Sequence, residues 1–388
     1  MGLGVIRALG RMGVPVVAVH FNPKDMGYTS RYVTEAIHTV HPEHHEDEFL
    51  DTLTRVSRKY PDAVLFPVSD EALEAVSRRR HYLSRWYTVA CAEWDIVRRM
   101  LSKEYTYSLA EEIGVATPCT LTPHSEEEAE AYSRALQYPC LVKPTLSHQY
   151  FEIFRTKMLR VENPDQLLKA YREAEAARQP VMLQELIPGD DSHVVNYNSY
   201  FWKGRPLVEF TARQIRKAPP LFGSPCVAKY EHIPEILEPG RKLLEALGFY
   251  GYSCMELKLD PRTGAYILME VNARHNLSTL LAVTCGVNFP WLHYRHLAYG
   301  EQPAQQEISR QLYWIDLTRD ISHSPRQFRL NKAGFSRRFI KPYISRHVFA
   351  VLDLRDLKPF ITRLWQQLSG GVFLHRTGQR DDYGKVKT

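Results

Sequence analysis

The sequence predicts a mixed α/β fold in several domains, and three observations predict it. Strand and helix patterns alternate over residues 1–100. Two runs of alternating apolar and polar residues flank a turn at Asp260-Pro261-Arg262-Thr263-Gly264. The chain has 388 residues and 44% hydrophobic content, enough for two or three domains with a sizeable core.

Leu3 to Met12 has a helical pattern, stopped by Gly13, and Val14 to Val19 is a buried strand. Phe49 to Tyr60 is an amphipathic helix, Val64 to Pro67 a short strand, Glu71 to Arg80 a helix, and Tyr87 to Ala90 a strand. Such alternation gives a mostly parallel sheet. Ser69-Asp70-Glu71 follows a strand end, where open α/β sheets bind ligands. Ser69 or Asp70 also suits the N-cap of the next helix, and a substrate contact by Asp70 is compatible with that. Gly2 and Gly4 alone are too weak a phosphate-loop signal for dinucleotide binding.

Ser102 to Ile113 is helical, ended by Gly114 with Pro118 beyond it. Tyr138 to Pro144 is an apolar strand carrying Lys143, whose charge there needs an anionic partner. Val181 to Gly189 is a strand running into a hinge. Val194 to Trp202 and Arg205 to Thr211 are strands joined at Lys203-Gly204. Arg213 and Arg216 follow, close to a Pro-Pro-Leu-Phe-Gly loop. They could clamp a carboxylate bidentately, or form a basic surface loop. Glu235 to Leu247 is an amphipathic helix ended by Gly248. Leu277 to Cys285 is apolar and ends at Gly286; Trp291 to Tyr299 is a helix closed by Gly300. A domain boundary is expected near Gly300 to Pro303. Beyond it, Tyr313 to Asp320 is a strand or short helix. Residues 326–346, rich in Arg, Lys and aromatics, suit a solvated lid, a dimer face or an anionic lipid surface. The residues from Gln379 are polar and expected to be disordered.

The hairpin carries the chemistry. Folded about Thr263, it sets Glu256 opposite Glu270, with Asn272 on the same face as Glu270. Like charges directly opposite are destabilising, so a cation is expected between them. Mg²⁺ takes hard oxygen ligands and needs only one or two carboxylates, with phosphate oxygens and water completing the octahedron. Arg274 follows at the strand end, where a cation can meet developing negative charge. Met255, Leu257, Leu259, Ile267, Met269 and Val271 are expected on the other face. This apolar set favours a buried functional hairpin over a solvated edge.

Glu256-Leu257-Lys258-Leu259-Asp260-Pro261-Arg262-Thr263-Gly264, followed by Met269-Glu270-Val271-Asn272-Ala273-Arg274, resembles the metal-binding hairpin of the ATP-grasp superfamily. Members often show Glu-Phe-Lys-x-Asp and then Glu-Ile-Asn-Pro-Arg. Ser278-Thr279-Leu280, continuing to Cys285-Gly286-Val287-Asn288-Phe289-Pro290, is similar to the same group. The likeness runs in order over about residues 1–302. It is nearest the carboxylate–amine ligase branch that includes D-aspartate ligase-like proteins, with carbamoyl-phosphate synthetase large-chain domains as the neighbouring alternative.

The resemblance implies an ATP-grasp fold with an α+β core. Residues 1–100 would form a Rossmann-like pre-ATP-grasp domain. Its relatives begin with a strand and a glycine turn; this chain opens at the helix, so that strand is expected to be missing. Residues 101–187 would be the small, ATP-binding subdomain and 188–302 the large subdomain with the hairpin. Residues 303–388 would be a C-terminal basic and aromatic extension. ATP and Mg²⁺ (or Mn²⁺) are implied. Lys103 and Lys143 would hold phosphates, and the backbone of Glu185, Leu186 and Ile187 would meet the adenine edge. Asp190 and Asp191 would reach the ribose, although an ordinary turn explains them equally well. Glu256, Glu270 and Asn272 would ligate the metal and Arg274 would act in catalysis, with Arg213, Arg216 and Asp70 as substrate contacts. Ser147 to Glu152 contains no glycine where many relatives carry a glycine-rich lid, so side chains such as His148 and Lys157 would serve there, Lys157 towards ATP. The implied reaction joins a carboxylate to an amine through an acyl phosphate. Phosphoryl transfer without ligation and a non-catalytic ATP-binding protein are the alternatives.

The remaining composition narrows the partners. A net charge of +6 is mildly basic and suits anionic small molecules. No Lys/Arg-dense arm or nucleic-acid motif occurs, so nucleic acid is not expected. Six cysteines without a Cys-x-x-Cys pair indicate neither a zinc site nor a disulfide framework, and fit a reducing cytoplasm. There is no run of about 18 apolar residues and no signal-peptide pattern. Small carboxylate and amine substrates are the expected partners, with a homodimer by analogy to relatives.

Overall fold

The computed structural model describes residues 1–22, 24–145, 150, 153–154, 158–330 and 335–374, with only the backbone at 330, 335–337 and 370–374. These residues fall into two compact units. One takes residues 1–94, 216–230 and those from 274 onward; the other takes 95–215 and 231–273. The units cut across the expected boundaries at 100, 187 and 302. In particular, the C-terminal segment belongs to the same unit as the N-terminus.

In the first unit the helix Gly2–Gly10 is buried almost all round, with Leu3, Val5, Ile6, Ala8 and Leu9 in the core. It packs on the helices Thr279–Cys285 and Phe289–Tyr299. Gly10 is required there, because a Cβ would stand 2.4 Å from Tyr32. Val16–His20 pairs in parallel with Val33–His38, a strand the sequence reading passed over. Val64–Leu65 pairs in parallel with Thr88–Val89. The parallel sense agrees with strand–helix alternation, but the result is two small sheets and not one. Ser224–Tyr230 pairs antiparallel with Tyr313–Ile315, which pairs in parallel with His347–Phe349. Tyr313 to Asp320 is thus a strand passing into the helix Leu317–Leu330.

The C-terminal segment is held by a fully buried arginine. The Arg7 guanidinium donates to Asp356 Oδ2 at 2.9 Å, to the Val351 carbonyl at 2.8 Å and to the Asp356 carbonyl at 2.9 Å. Asp356 also accepts from Ser30 Oγ at 2.7 Å and from the Arg31 amide at 2.8 Å. Residues expected to lie outside a common core therefore help build this unit's interior.

The second unit has a four-stranded antiparallel sheet in the order Thr120–Leu121, Val181–Glu185, Cys140–Pro144, Leu159–Val161. The helices Glu126–Ala135 and Pro164–Ala176 bury Ala129, Leu167, Ala170 and Ala174 in the core beside it. A further antiparallel array runs Tyr266–Asn272, Gly251–Leu259, Val194–Trp202, Arg205–Ala218. The helix Leu237–Ala246 lies on it, with Gly240 against the Tyr197 ring; a Cβ there would come within 2.4 Å. Arg205–Ala218 is longer than expected, so Arg213 and Arg216 sit in a strand and not in a loop. Among the described residues, no helix is long and apolar enough to cross a membrane.

Candidate active site

The hairpin turn is held by its own side chains. The Asp260 amide bonds the Ala265 carbonyl at 2.8 Å, and Gly264 takes φ +75°. Arg262 donates to the Asp260 carboxylate, which holds that carboxyl below the usual range. Glu256 then falls directly opposite Glu270, and Cys254 opposite Asn272. A bulge after Glu256 pairs Leu257 with Leu268. It changes the phase of the second strand: Leu268 is fully buried and Met269 only half-buried, where Met269 was expected inside.

Around the two glutamates the second unit assembles a polar cluster. Asn272 Nδ2 donates to Glu270 Oε1 at 3.0 Å. Gln214 Nε2 donates to Glu256 Oε2 at 2.6 Å and to Asn196 Oδ1 at 3.2 Å. Lys103 Nζ stands 3.7 Å from Glu270 Oε2. Burial opposes the Lys103 charge, but Glu270, Tyr107 and Glu256 outweigh it and hold the pKa above that of an ordinary lysine. Lys103 opens the helix Lys103–Glu112, capped by Ser102, which accepts from the Tyr105 amide at 3.2 Å. One turn on, Tyr107 donates to the Met269 carbonyl at 2.7 Å and ties this helix face to the hairpin. Two carboxylates and an amide form a hard-oxygen donor set that fits Mg²⁺. Gln214, Asn196 and Tyr107 were not singled out from the sequence. For Gln214 and Asn196 the available signal was a polar residue within a long strand; Tyr107 sits one turn after Lys103 on the same helix.

Lys143 lies on Cys140–Pro144, nearly buried, with Nζ bonded to Gln184 Oε1. Gln184 in turn donates to Thr120 Oγ1 at 2.8 Å. At the hinge, Glu185 pairs with Arg262 at 2.5 Å and accepts from the Cys119 amide at 3.3 Å. The Ile187 carbonyl accepts from Lys258 Nζ at 2.8 Å. Leu186 lies between these two anchored residues and is half-buried. Asp191 is buried, whereas Asp190 accepts from the Ser192 amide at 3.0 Å as the cap of a short 3₁₀ turn. Arg213 is committed to Glu231 at 2.7 Å and to the Ser192 carbonyl at 2.8 Å. His148 and Lys157 lie outside the described residues.

In the first unit Arg274 donates to both Asp70 oxygens at 2.6 Å. Ser69 supplies the cap of the helix Asp70–Arg78, accepting from the Ala72 amide at 3.2 Å. The Asp70 carboxylate is thereby left to the arginine. Arg216 donates to both oxygens of Asp320 at 2.7 Å and to the Arg338 carbonyl at 2.9 Å. Tyr343 donates to Asp320 Oδ2 at 2.6 Å. Both arginines of the expected carboxylate clamp are therefore engaged by acids of the chain itself. Burial opposes charge on each, but the paired carboxylate keeps each pKa raised.

No family model matches the sequence. It is 25% identical over 262 residues to D-aspartate ligase of Enterococcus faecium, covering 62% of this chain and 61% of that protein. It is 24% identical over 211 residues to a D-alanine--D-alanine ligase of Ectopseudomonas mendocina, covering 50% and 63%. The chain thus spans about three fifths of the length of the curated relatives it matches. Among solved structures, the L-amino acid ligase of Bacillus licheniformis superposes with TM-score 0.58 at 19% identity, over 76% of this chain and 71% of that one. The N5-carboxyaminoimidazole synthetase of Staphylococcus aureus superposes with TM-score 0.64 at 12% identity, over 85% and 83%. These neighbours have the ATP-grasp fold, and the chain shares that fold; in sequence it is similar to ligases that join a carboxylate to an amine.

Proposed function

We propose that the chain is an ATP-dependent carboxylate–amine ligase that forms an amide through an acyl phosphate. The observation that carries this reading is Glu256 across from Glu270, with Asn272 bonded to Glu270 and the Lys103 ammonium 3.7 Å from it. Two carboxylates held in this register suit a Mg²⁺–nucleotide complex far better than they suit one another. The relatives act on amino acids by name, and the S. aureus synthetase has been crystallised with ADP. We extend both to this chain: the nucleotide is ATP, and an amino acid or short peptide enters on each side. A reducing cytoplasm supplies both and suits the free cysteines.

Carboxylates resist amines at neutral pH because the leaving oxygen is poor. In the proposed reaction a substrate carboxylate oxygen bonds to the γ-phosphorus and ADP departs. The amine nitrogen then attacks the acyl carbon, the bond to the phosphate oxygen breaks, and the nitrogen loses a proton. Mg²⁺, when bound, supplies charge neutralisation on the phosphoryl oxygens. Lys103 and Lys143 hold phosphate oxygens by charge. Glu185, Leu186 and Ile187 present the hinge to the adenine edge. Gln214 and Asn272 orient the two glutamates. Arg274, given its role from its place in the sequence, stabilises the oxyanion of the tetrahedral intermediate. Catalysis of this kind is positioning and electrostatics, and it needs no nucleophilic side chain.

The test is ADP release with Mg²⁺–ATP against a pooled amino-acid library, comparing wild type with Glu270→Ala. Release that needs two components of the pool and vanishes in the variant is the expected result. ADP release with an acid and no amine would instead indicate phosphoryl transfer. ATP binding without turnover across the pool would indicate a binding protein.

A further inference from the structure

The helix Lys358–Leu374 is built inside out. Its outward face shows Ile361 at 59% exposure, Leu364 at 37%, Trp365 at 68% and Leu368 at 73%. This is the three-and-four spacing of a single helical stripe. The stripe continues backwards through Leu357 and through Leu354, which is 85% exposed. The inward side, beyond the buried Pro359 and half-buried Phe360 of the first turn, is polar. Arg363 pairs with Asp316 at 3.0 Å, and Gln366 Nε2 donates to the Asp25 carbonyl at 3.4 Å. A surface helix ordinarily buries its apolar stripe. This one is anchored by its polar residues and shows the stripe to solvent, which marks a docking surface.

Charge indicates what docks there. Residues 317–374 contain eleven Lys and Arg against three Asp. Each of the three acids is turned to an arginine of the same unit: Asp320 to Arg216, Asp353 to Arg11 and Asp356 to Arg7. Arg355 and Lys358 stand exposed where the stripe begins. A second copy would meet this face with the same face, bringing positive charge against positive charge, with no free acid beside the stripe among the described residues. An anionic lipid surface supplies both complements, acyl chains for the stripe and headgroups for the basic residues. Trp among Leu and Ile, flanked by Lys and Arg, is the composition of helices that lie in a membrane interface. We infer that this helix docks the protein on an anionic lipid surface, lying on the bilayer and not crossing it. The docking face uses none of the residues assigned to the proposed ligase chemistry.

The experiment is sedimentation of the full chain with vesicles of phosphatidylglycerol mixed with phosphatidylcholine, and with vesicles of phosphatidylcholine alone. The protein is expected to sediment with the anionic vesicles only, and less so at high salt. Trp365→Glu combined with Leu368→Glu should leave it in the supernatant with its melting temperature unchanged, since both side chains are exposed. Arg355→Gln with Lys358→Gln should weaken binding by roughly fivefold for each charge removed. Failure of the wild type to sediment, or equal sedimentation of the glutamate variant, would overturn the inference. So would a wild-type dimer, measured by light scattering without vesicles, that the glutamate variant turns into a monomer.

Discussion

The guanidinium of Arg274 holds both oxygens of Asp70 at 2.6 Å, so two residues read separately from the sequence form one bidentate pair. Arg274 is mostly buried and Asp70 half exposed. On the proposed mechanism the arginine acts on the oxyanion and the aspartate aims it. Arg274→Ala should then lower kcat by about 10²–10³ with little change in KM for ATP. Asp70→Asn should lower kcat by roughly tenfold and leave KM alone. Steady-state kinetics separates the roles. An Asp70 variant that raises KM for the acid or the amine at constant kcat would make Asp70 a substrate contact instead.

The opposed glutamates give a prediction that does not depend on knowing the substrates. Directly opposed like charges cost about 0.2–1 kcal/mol, and the Lys103 ammonium 3.7 Å from Glu270 offsets part of it. In chelator, Glu270→Gln should therefore melt at or slightly above the wild-type temperature. Wild type should be stabilised by Mg²⁺–ATP, by about 2.7 kcal/mol at a hundredfold excess over Kd. The variant should lose that response. A variant that kept the full Mg²⁺-dependent shift in a thermal melt would remove the metal from this hairpin.

The hairpin was legible because period-two patterning and strong turn residues let its register be counted outward from Thr263. The bulge was not, since nothing in the pattern distinguishes Leu268 from Met269 as the buried residue. The end of the strand Arg205–Ala218 was misread for a different reason. Two arginines look like a surface loop until Glu231, 18 residues on from Arg213, and Asp320, 104 residues on from Arg216, are brought to them. Gln214 stayed hidden between those arginines. The C-terminal segment looked like an appendage because its anchor, Asp356, lies 349 residues from Arg7. Helical spacing in Lys358–Leu374 reveals a stripe but not which way it faces; only the Asp316 and Asp25 contacts decide that.

That long-range anchor is expected to be expensive to break. Arg7 and Asp356 are both fully buried, and each is further bonded to main-chain groups. Asp356→Ala leaves a guanidinium in the interior without its carboxylate, which should cost about 3–5 kcal/mol. Arg7→Met with Asp356→Leu should cost less than either charge removed alone, because no uncompensated ion remains. Urea denaturation of the three proteins checks the order. A loss below about 1 kcal/mol for Asp356→Ala would mean that the segment is held elsewhere.

The same unit should also be sensitive to acid through its buried histidines. Burial drives His293 down to about 3, and burial together with His293 drives His275 well below the usual imidazole value. Both rings pack with Phe66, His293 at 5.2 Å and His275 at 6.2 Å between centroids. In the unfolded chain each histidine takes up a proton near pH 6.5, whereas the folded chain leaves His293 neutral down to about 3. The unfolded state therefore binds more protons throughout that window. Stability should be flat above about pH 7 and should fall below pH 6.5, by about 1.4 kcal/mol per pH unit for each histidine. The carboxyls of Asp353 and Asp190 are also depressed, so their contribution has the same sign and is lost only at lower pH, as pH falls through the ordinary aspartate range. His293→Phe removes one of the two protons and keeps an aromatic ring beside Phe66. Its urea unfolding, followed from pH 7.5 to 4.5, should show a shallower slope than wild type by about one proton. Equal slopes would mean that His293 is protonated in the folded protein.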